Sequence, residues 1–460
     1  MRASPRRVAF DVLHAVSVED AYANLLLPTR LRSVGLTGTD AGFATELCYG
    51  TLRRRGLYDA VLARAAGRAV DTIDAPVLDV LRLGAHQLLG MGTPAHAAVD
   101  ESVRLALALR LGRAKGFVNA VLRRVSERTE PEWMDLLLTG VDDPLDRLAI
   151  RHAHPRWIVA ALASALTAQN RADELEALLA ADNVPARVSL VALPGLADRA
   201  AGGTGAELGD YSPFGFRARS GDPGADPRVR AGAVRVQDEG SQLAALALSR
   251  ARPIVPGEHW LDVCAGPGGK AALLGAEAVQ AGAHLLASEI SPARTDLVRH
   301  ALAPLGDAVS VRTADGRTLG ADPRERYDRI MLDAPCSGLG ALRRRPEARW
   351  RKRAEDVGEL AALQASLLTA ALSALAPGGV LAYVTCSPHP AETTQIVDAV
   401  LQGRDDVQLL DTAEVLDRVS TVPLDSRVGR GAVQLWPHRH GTDAMFIQLL
   451  TRPALATLAG

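Results

Sequence analysis

The chain has 460 residues, 48% of them hydrophobic, and its 52 Lys+Arg against 53 Asp+Glu leave a formal charge of -1. That length exceeds the usual span of one compact core and predicts two or three domains. Its 4 cysteines have no paired spacing, which argues against a disulfide framework or a zinc knuckle and for a reducing compartment.

The start, MRASPRRVAF, is basic but leads into no apolar signal region, and no run of about 18 apolar residues follows, so a cytoplasmic protein with no membrane partner is expected. Residues 5–130 then read as helices: RRVAFDVLHAV, AGFATELCYGTLRRRGLYDAVLARA, APVLDVLRLGAHQLLG, HAAVDESVRLALAL and GFVNAVLRRV repeat apolar residues at spacings of three and four. Cations modestly outnumber anions here, as in a helical nucleic-acid binder, though LRRRG and VLRRV also suit solvated helix ends. Only Lys115, Lys270 and Lys352 are lysines; the other cations are arginine, the better fork for phosphate. Helical spacing continues over 150–185, and a stretch rich in Gly, Pro and Asp, 194–229, reads as loops of a small domain or a linker.

From about 234 onward short apolar runs alternate with helix-length segments: HWLDVCAG, HLLASEIS, AVSVRTADG, YDRIMLDAP, a long helix near 355–376, and GGVLAYVTCS. That alternation predicts an α/β domain with a doubly wound, mostly parallel sheet, whose ligands gather beyond the carboxyl ends of the strands.

LDVCAGPGGK sets a glycine-rich turn between a strand and a helix, where absent side chains let backbone approach a ligand. It is neither a P-loop nor the G-x-G-x-x-G fingerprint. Glu289 ends the next strand and suits two ribose hydroxyls; Asp315 follows the third and suits an adenine amine; Asp333 ends the fourth. So many carboxylates repel a pyrophosphate but suit a nucleoside with a zwitterionic tail, which describes S-adenosylmethionine. Strand-end acids can also serve only as helix caps.

Cys336 in DAPCSG and Cys386 in VTCSPHP both follow strands and both adjoin proline. A methyl donor beside a thiol suggests alkylation at carbon 5 of a pyrimidine, which becomes nucleophilic once a thiolate adds to carbon 6; a base must later remove the carbon-5 proton. Asp333 supplies a carboxyl to hold a cytosine ring, and Pro335, Pro388 and Pro390 stiffen the loops. Residues alone do not choose which thiol attacks. Cys48 and the Cys264 side chain read as small buried hydrophobes. HRHG, HAHP, His86 and His96 have no partners at ligand spacing, so no metal is expected.

DVCAGPGGK, DAPCSGLG and TCSPHPAE, in that order, resemble the signatures of the cytosine-carbon-5 RNA methyltransferases of the NOL1/NOP2/Sun group, in particular the bacterial small-subunit ribosomal RNA enzymes with an N-terminal NusB-like domain. LRRRPEARWRKR, 342–353, looks like that family's basic segment, and VQDEGSQLAA, 236–245, like its lead-in helix. The resemblance covers nearly the whole chain and implies three parts: an all-α NusB-like domain over 1–140, a small α+β RNA-contacting subdomain over 141–233, and a Rossmann-like methyltransferase domain over 234–460. It implies S-adenosylmethionine held by Cys264, Ala265, Gly266, Pro267, Gly268, Gly269, Lys270, Glu289, Asp315 and Asp333. It also implies Cys386 as the nucleophile and Cys336 as the group assisting proton removal and product release.

The implied substrate is small-subunit ribosomal RNA, taken by a monomer, with a cytosine unstacked from a loop or bulge. The basic run around Trp350, with Arg343, Arg344, Arg345, Arg349, Arg351, Lys352 and Arg353, is expected to meet RNA through phosphate contacts and a stacking ring, unless Trp350 packs inward. Ser189 stands where the family often shows Asn, and Ala444-Met445 where Gly-Phe is usual. The same chemistry on transfer RNA, or an inactive NusB-like RNA-binding antitermination protein, are the alternatives.

Overall fold

The apolar spacing of the first 126 residues becomes seven successive α-helices, Pro5–Val18, Ala23–Ser33, Gly38–Arg53, Arg55–Ala66, Ala75–Leu89, Ala95–Ala108 and Lys115–Ser126, in a computed structural model that describes residues 4–199, 207–218 and 222–454. Local chemistry sets their ends. The Ser4 hydroxyl accepts the Arg7 N–H at 3.2 Å, and Thr129 and Glu132 form a capping box at the start of Glu130–Leu138. Leu13, Leu47, Leu52, Tyr58, Val61, Leu81 and Leu122 meet in the core, where Cys48 is fully buried as expected of a small hydrophobe. A deep charge cluster is paired: Arg82 donates to Asp59 at 2.7 and 2.8 Å and to Asp79 at 3.0 Å.

Contacts divide the chain into two units, the first comprising Met1–Ala163, Asp173–Pro185 and Leu342–Lys352 and the second Ser164–Ala172, Ala186–Ala341 and Arg353–Gly460. All of the basic run but Arg353 therefore belongs to the helical unit, although catalytic-type sequence flanks it on both sides. Arg349 is wholly buried and donates to the carbonyl of Arg53 at 2.6 Å, to Asn183 Oδ1 at 2.8 Å and to the carbonyl of Asp182 at 2.9 Å. Glu347 accepts the Ala23 N–H at 3.3 Å, and Arg351 donates to the carbonyls of Val16 and Ala21. Trp350 lies against Gly56, where a Cβ would meet its ring at 2.6 Å, with the Arg55 guanidinium 5.6 Å from the ring centroid. The expectation that Arg349 faces RNA is corrected: a charge without enough water must find partners, and Arg349 finds carbonyls inside its own unit, while Trp350 takes the inward packing that the sequence left open. Arg345 and Arg353 stay exposed.

In the second unit a small antiparallel sheet joins β1 (Ser189–Ala192), β2 (Glu207–Leu208), β3 (Gly215–Arg217) and β4 (Val234–Val236) in the order β2-β3-β1-β4. β2 and β3 fall within the Gly/Pro/Asp-rich stretch read from the sequence and β1 and β4 flank it; residues 200–206 and 219–221 of that stretch lie outside those described. The large sheet holds the expected parallel strands, β5 (His259–Asp262), β6 (His284–Glu289), β7 (Val309–Thr313), β8 (Tyr327–Asp333) and β9 (Leu375–Thr385), in the order β7-β6-β5-β8-β9. Beyond them run β10 (Gln408–Leu409), β11 (Arg427–Val428), β12 (Ala432–Gln434) and β13 (Phe446–Thr451); β13 pairs antiparallel with β9 from Phe446↔Thr385 to Thr451↔Val380.

Trp260, Met331, Ala382 and Ile447 fill one face of this sheet, and Ile330, Leu332, Leu381 and Tyr383 the other. The helix Asp356–Ala374 buries Leu367, Leu368, Ala371 and Leu372 in the second of these cores. By length and composition alone it would pass as membrane-spanning, although Asp356, Glu359 and Gln364 interrupt its apolar residues. At the foot of β8, Arg329 is fully buried, and its Nε donates to Glu258 at 2.8 Å. Against a burial cost, Arg329, the Trp260 indole and a backbone N–H hold the Glu258 carboxyl down at about 2.

Candidate functional site

The chain runs from β5 outward through β6 to β7 and then returns to β8 and β9, so β5 and β8 flank the point where the winding reverses. The residues picked out in the sequence sit at the carboxyl ends around this point: the glycine turn after β5, Glu289 at the end of β6, Asp333 ending β8, and Cys386 one residue after β9.

The structure brings the two thiols together. Cys336 Sγ and Cys386 Sγ are 3.4 Å apart, both half-buried. Their surroundings differ. The Cys336 thiol is pushed well up by its bond to Cys386, by burial, and by the charges of Cys386, Glu392 and Asp333. Lys270 Nζ donates to Asp333 Oδ2 at 2.8 Å and also faces Cys386. Burial pulls this ammonium down, but Asp333, Cys386 and Asp262 outweigh that and leave it above its ordinary value. The cation thus favours negative charge on the Cys386 sulfur, whereas carboxylates disfavour it on Cys336.

What fixes this register is a carboxylate quoted in the sequence motif but given no role there. Glu392, fully buried, accepts from the Ser337 N–H at 2.7 Å, the Ser337 hydroxyl at 2.5 Å and the Ser387 hydroxyl at 2.6 Å. Ser337 follows Cys336 and Ser387 follows Cys386, so one side chain ties both loops. Gln364, on the helix Asp356–Ala374, donates to Glu392 at 3.2 Å and to the carbonyl of Pro335 at 2.8 Å, while the Tyr383 hydroxyl donates to the Glu392 carbonyl at 2.9 Å. A lone glutamine inside an apolar helix was the available signal. Gly340 closes the arrangement: its N–H donates to the Cys386 carbonyl at 2.9 Å, and its own carbonyl accepts from Ala444 at 2.9 Å.

The predicted turn, Cys264 to Lys270, takes the expected form. At Gly266 a Cβ would lie 2.4 Å from Glu289 Oε2, and Gly268 has φ 101°, so both positions require glycine. Pro267 is exposed, Ala265 N–H donates to the Ser288 carbonyl at 3.0 Å, and Gly269 begins the helix Gly269–Gln280. Burial, with Asp262, Asp333 and Glu289 nearby, pushes the Cys264 thiol far up, which leaves it inert. Glu289, 2% exposed, accepts the Gly266 N–H at 3.1 Å and the Ser291 N–H at 3.0 Å, with Arg294 at 3.6 Å. Asp315 instead caps the short helix Gly316–Thr318 and is gripped by Arg317 at 2.6–3.1 Å, which holds its carboxyl low. The capping role open in the sequence is therefore occupied, and Arg317 engages both Asp315 oxygens.

Several buried polar groups here have no protein partner. Both carboxyl oxygens of Asp262, both amide atoms of Gln237 and the Ser288 hydroxyl are unsatisfied. Burial, and then the charge of Asp333, push the Asp262 carboxyl up to about 8. Neither residue was picked out in the sequence, because an Asp inside LDVC and a Gln before a helix look like ordinary strand and loop positions. A separate cavity of about 480 Å³ is lined by Pro388 and Pro390 together with Gln169, Thr394, Arg427 and Arg430. Among the described residues no group of three His, Cys, Asp or Glu is placed to hold a metal ion.

Residues 252–451 match the family described as 16S rRNA methyltransferase RsmB/F, and residues 3–127 match the NusB family. A putative methyltransferase of Mycobacterium tuberculosis is 50% identical over 97% of this chain and 96% of its own length. The ribosomal RNA small subunit methyltransferase B of Pseudomonas putida is 35% identical over 89% and 92%, and the probable one of Bacillus subtilis 30% over 97% and 98%. Among solved structures, PH0851 aligns with TM-score 0.80 at 21% identity over 97% of this chain and 99% of that one. NSun6 from Pyrococcus horikoshii aligns with TM-score 0.54 at 17% identity over 65% and 99%, a likeness of fold.

Proposed function

The chain belongs to the ribosomal RNA small subunit methyltransferase B family, with a NusB domain ahead of its Rossmann-like methyltransferase domain, and from that premise we propose that it methylates carbon 5 of a cytosine in 16S ribosomal RNA through a covalent bond from Cys386. The observation that carries this reading is the 3.4 Å thiol pair, with Lys270 on the Cys386 side and Asp333 bound to that same ammonium.

The enzyme is S-adenosylmethionine-dependent, and the residues present fit that group. The glycine turn leaves room for it, Glu289 stands at the end of β6 for the ribose, and unsatisfied polar atoms at Gln237, Asp262 and Ser288 lie buried in the same unit. When bound, S-adenosylmethionine supplies an electrophilic methyl group. The protein does the rest.

Lys270 stabilises the Cys386 thiolate, which adds to carbon 6 of the ring and makes carbon 5 nucleophilic. With Oδ2 held by Lys270, Asp333 has Oδ1 for the exocyclic amine, which favours cytosine over uracil. Once the Cys386 sulfur is bonded to carbon, its negative charge no longer opposes ionisation of Cys336, which loses its proton to solvent. The Cys336 thiolate then removes the proton from methylated carbon 5, the carbon–sulfur bond breaks, and Cys386 leaves as a thiolate. One proton is released per methyl transferred.

The test is methylation of small-subunit RNA by purified Cys386→Ala, with modified cytosines mapped by mass spectrometry and transfer RNA offered in parallel. Turnover is expected to vanish. Normal-rate methylation by that variant overturns the covalent mechanism, and product on transfer RNA alone overturns the substrate.

A further inference from the structure

Gln237 is 5% exposed, and neither the oxygen nor the nitrogen of its buried carboxamide has a hydrogen-bond partner. A buried amide left unpaired is costly, so its retention calls for a partner that arrives from outside. Its backbone is pinned: the Gln237 N–H donates to the Ser189 carbonyl at 3.0 Å, and its carbonyl accepts from Gln242 Nε2 at 3.0 Å. The next residue, Asp238, is held too, accepting the Gly240 N–H and the Asp443 N–H at 3.0 Å each. The side chain is thereby aimed at the glycine turn. A Cβ built on Gly269 would find only Gln237 within 4 Å, with Nε2 at 3.9 Å and Cδ at 4.0 Å.

Gly269 opens the 12-residue helix Gly269–Gln280, whose first N–H groups have no partners within the helix and attract an anion. A carboxamide presents a donor edge and an acceptor edge side by side. That pair complements a zwitterionic α-amino acid, with carboxylate meeting N–H and ammonium meeting oxygen. We infer that Gln237 binds the amino-acid end of S-adenosylmethionine, its Nε2 donating to the α-carboxylate beside the helix start and its Oε1 accepting from the α-ammonium. The inference rests on the cofactor alone and is independent of which base is methylated or which thiol attacks.

Two ligands separate this role from a structural one: S-adenosylhomocysteine, which carries the amino-acid tail, and 5′-methylthioadenosine, which lacks it. By calorimetry Gln237→Ala is expected to weaken S-adenosylhomocysteine roughly ten- to a hundredfold, the range for lost hydrogen bonds to charged groups. Binding of 5′-methylthioadenosine should not change. Gln237→Glu, which keeps the shape but sets a negative charge against the carboxylate, should give the same split. The ligand-free Gln237→Ala protein should melt no lower than the parent, because the amide it loses has no protein partner. Equal affinity of variant and parent for S-adenosylhomocysteine overturns the assignment, as does an equal loss for both ligands or a lowered melting point without ligand. If the parent binds neither ligand, the cofactor assignment fails and this one with it.

Discussion

The two sulfurs share a contact of 3.4 Å but not an environment: Lys270 attends Cys386, while Glu392 and Asp333 press on Cys336. Cys336→Ala should therefore leave the addition step intact and remove the base, so that denaturing gels show protein–RNA adduct accumulating with S-adenosylmethionine present; a variant that turns over without adduct removes Cys336 from the mechanism. Asp262 offers a second test. Its folded carboxyl stands at about 8 against an ordinary 3.8, so the folded state holds a proton that the unfolded state gives up between those values. Stability from this group is thus full below about pH 4 and lost as pH rises through about 8. Asp262→Asn, neutral at every pH, should match the parent near pH 4 and melt several degrees higher near pH 9; an unchanged difference across that range contradicts the assignment. Residues at strand ends, such as Cys336, Cys386, Glu289 and Asp333, were legible in the sequence because a polar group that closes an apolar run is conspicuous. Pairings such as Lys270 with Asp333 or Arg317 with Asp315 were not, since they depend on how loops bring side chains together.

Each thiol rides on a different loop, and Glu392 joins those loops through Ser337 and Ser387. Glutamine has nearly the shape of this glutamate but must place an amide NH2 where the carboxylate accepts two hydroxyls and two N–H groups. Glu392→Gln should accordingly loosen the thiol register and lower kcat roughly ten- to a hundredfold, the scale on which misplacement of about 1 Å acts. Affinity for S-adenosylhomocysteine should stay within about twofold, because the glycine turn draws nothing from this network, and alkylation of Cys386 should change rate. Equal losses in kcat and cofactor affinity indicate general unfolding instead. The parallel strands were legible as elements, since short apolar runs alternating with helix-length segments have few other solutions. The antiparallel edge from β10 to β13 was not: those strands are short, and pairing with β9 settles them more than their own pattern does.

Across the whole chain, the segment Leu342–Lys352 leaves the sequence of one unit to be built into the other. In sequence it is a run of arginines around a tryptophan, and such a run has the same composition whether it lies along RNA or is threaded among helices. Arg349 separates the two. Burial pulls its guanidinium down to about 10, with Asp182 opposing and Arg53 adding to the shift, so it is still charged at neutral pH. A buried charge held by two carbonyls and Asn183 serves stability. Removing it leaves buried acceptors unpaired, at roughly 1–3 kcal/mol each. Arg349→Ala in the full chain should destabilise the helical unit by that order, which appears as a lower urea midpoint at an unchanged slope. The slope of log RNA affinity against log salt should stay the same, because no phosphate contact is lost. An RNA-facing arginine gives the reverse pattern, an unchanged midpoint and a slope shallower by about 0.7 for single-stranded RNA. Urea denaturation and a salt titration of the same variant thus decide between the threaded segment seen here and the nucleic-acid surface that its composition suggests.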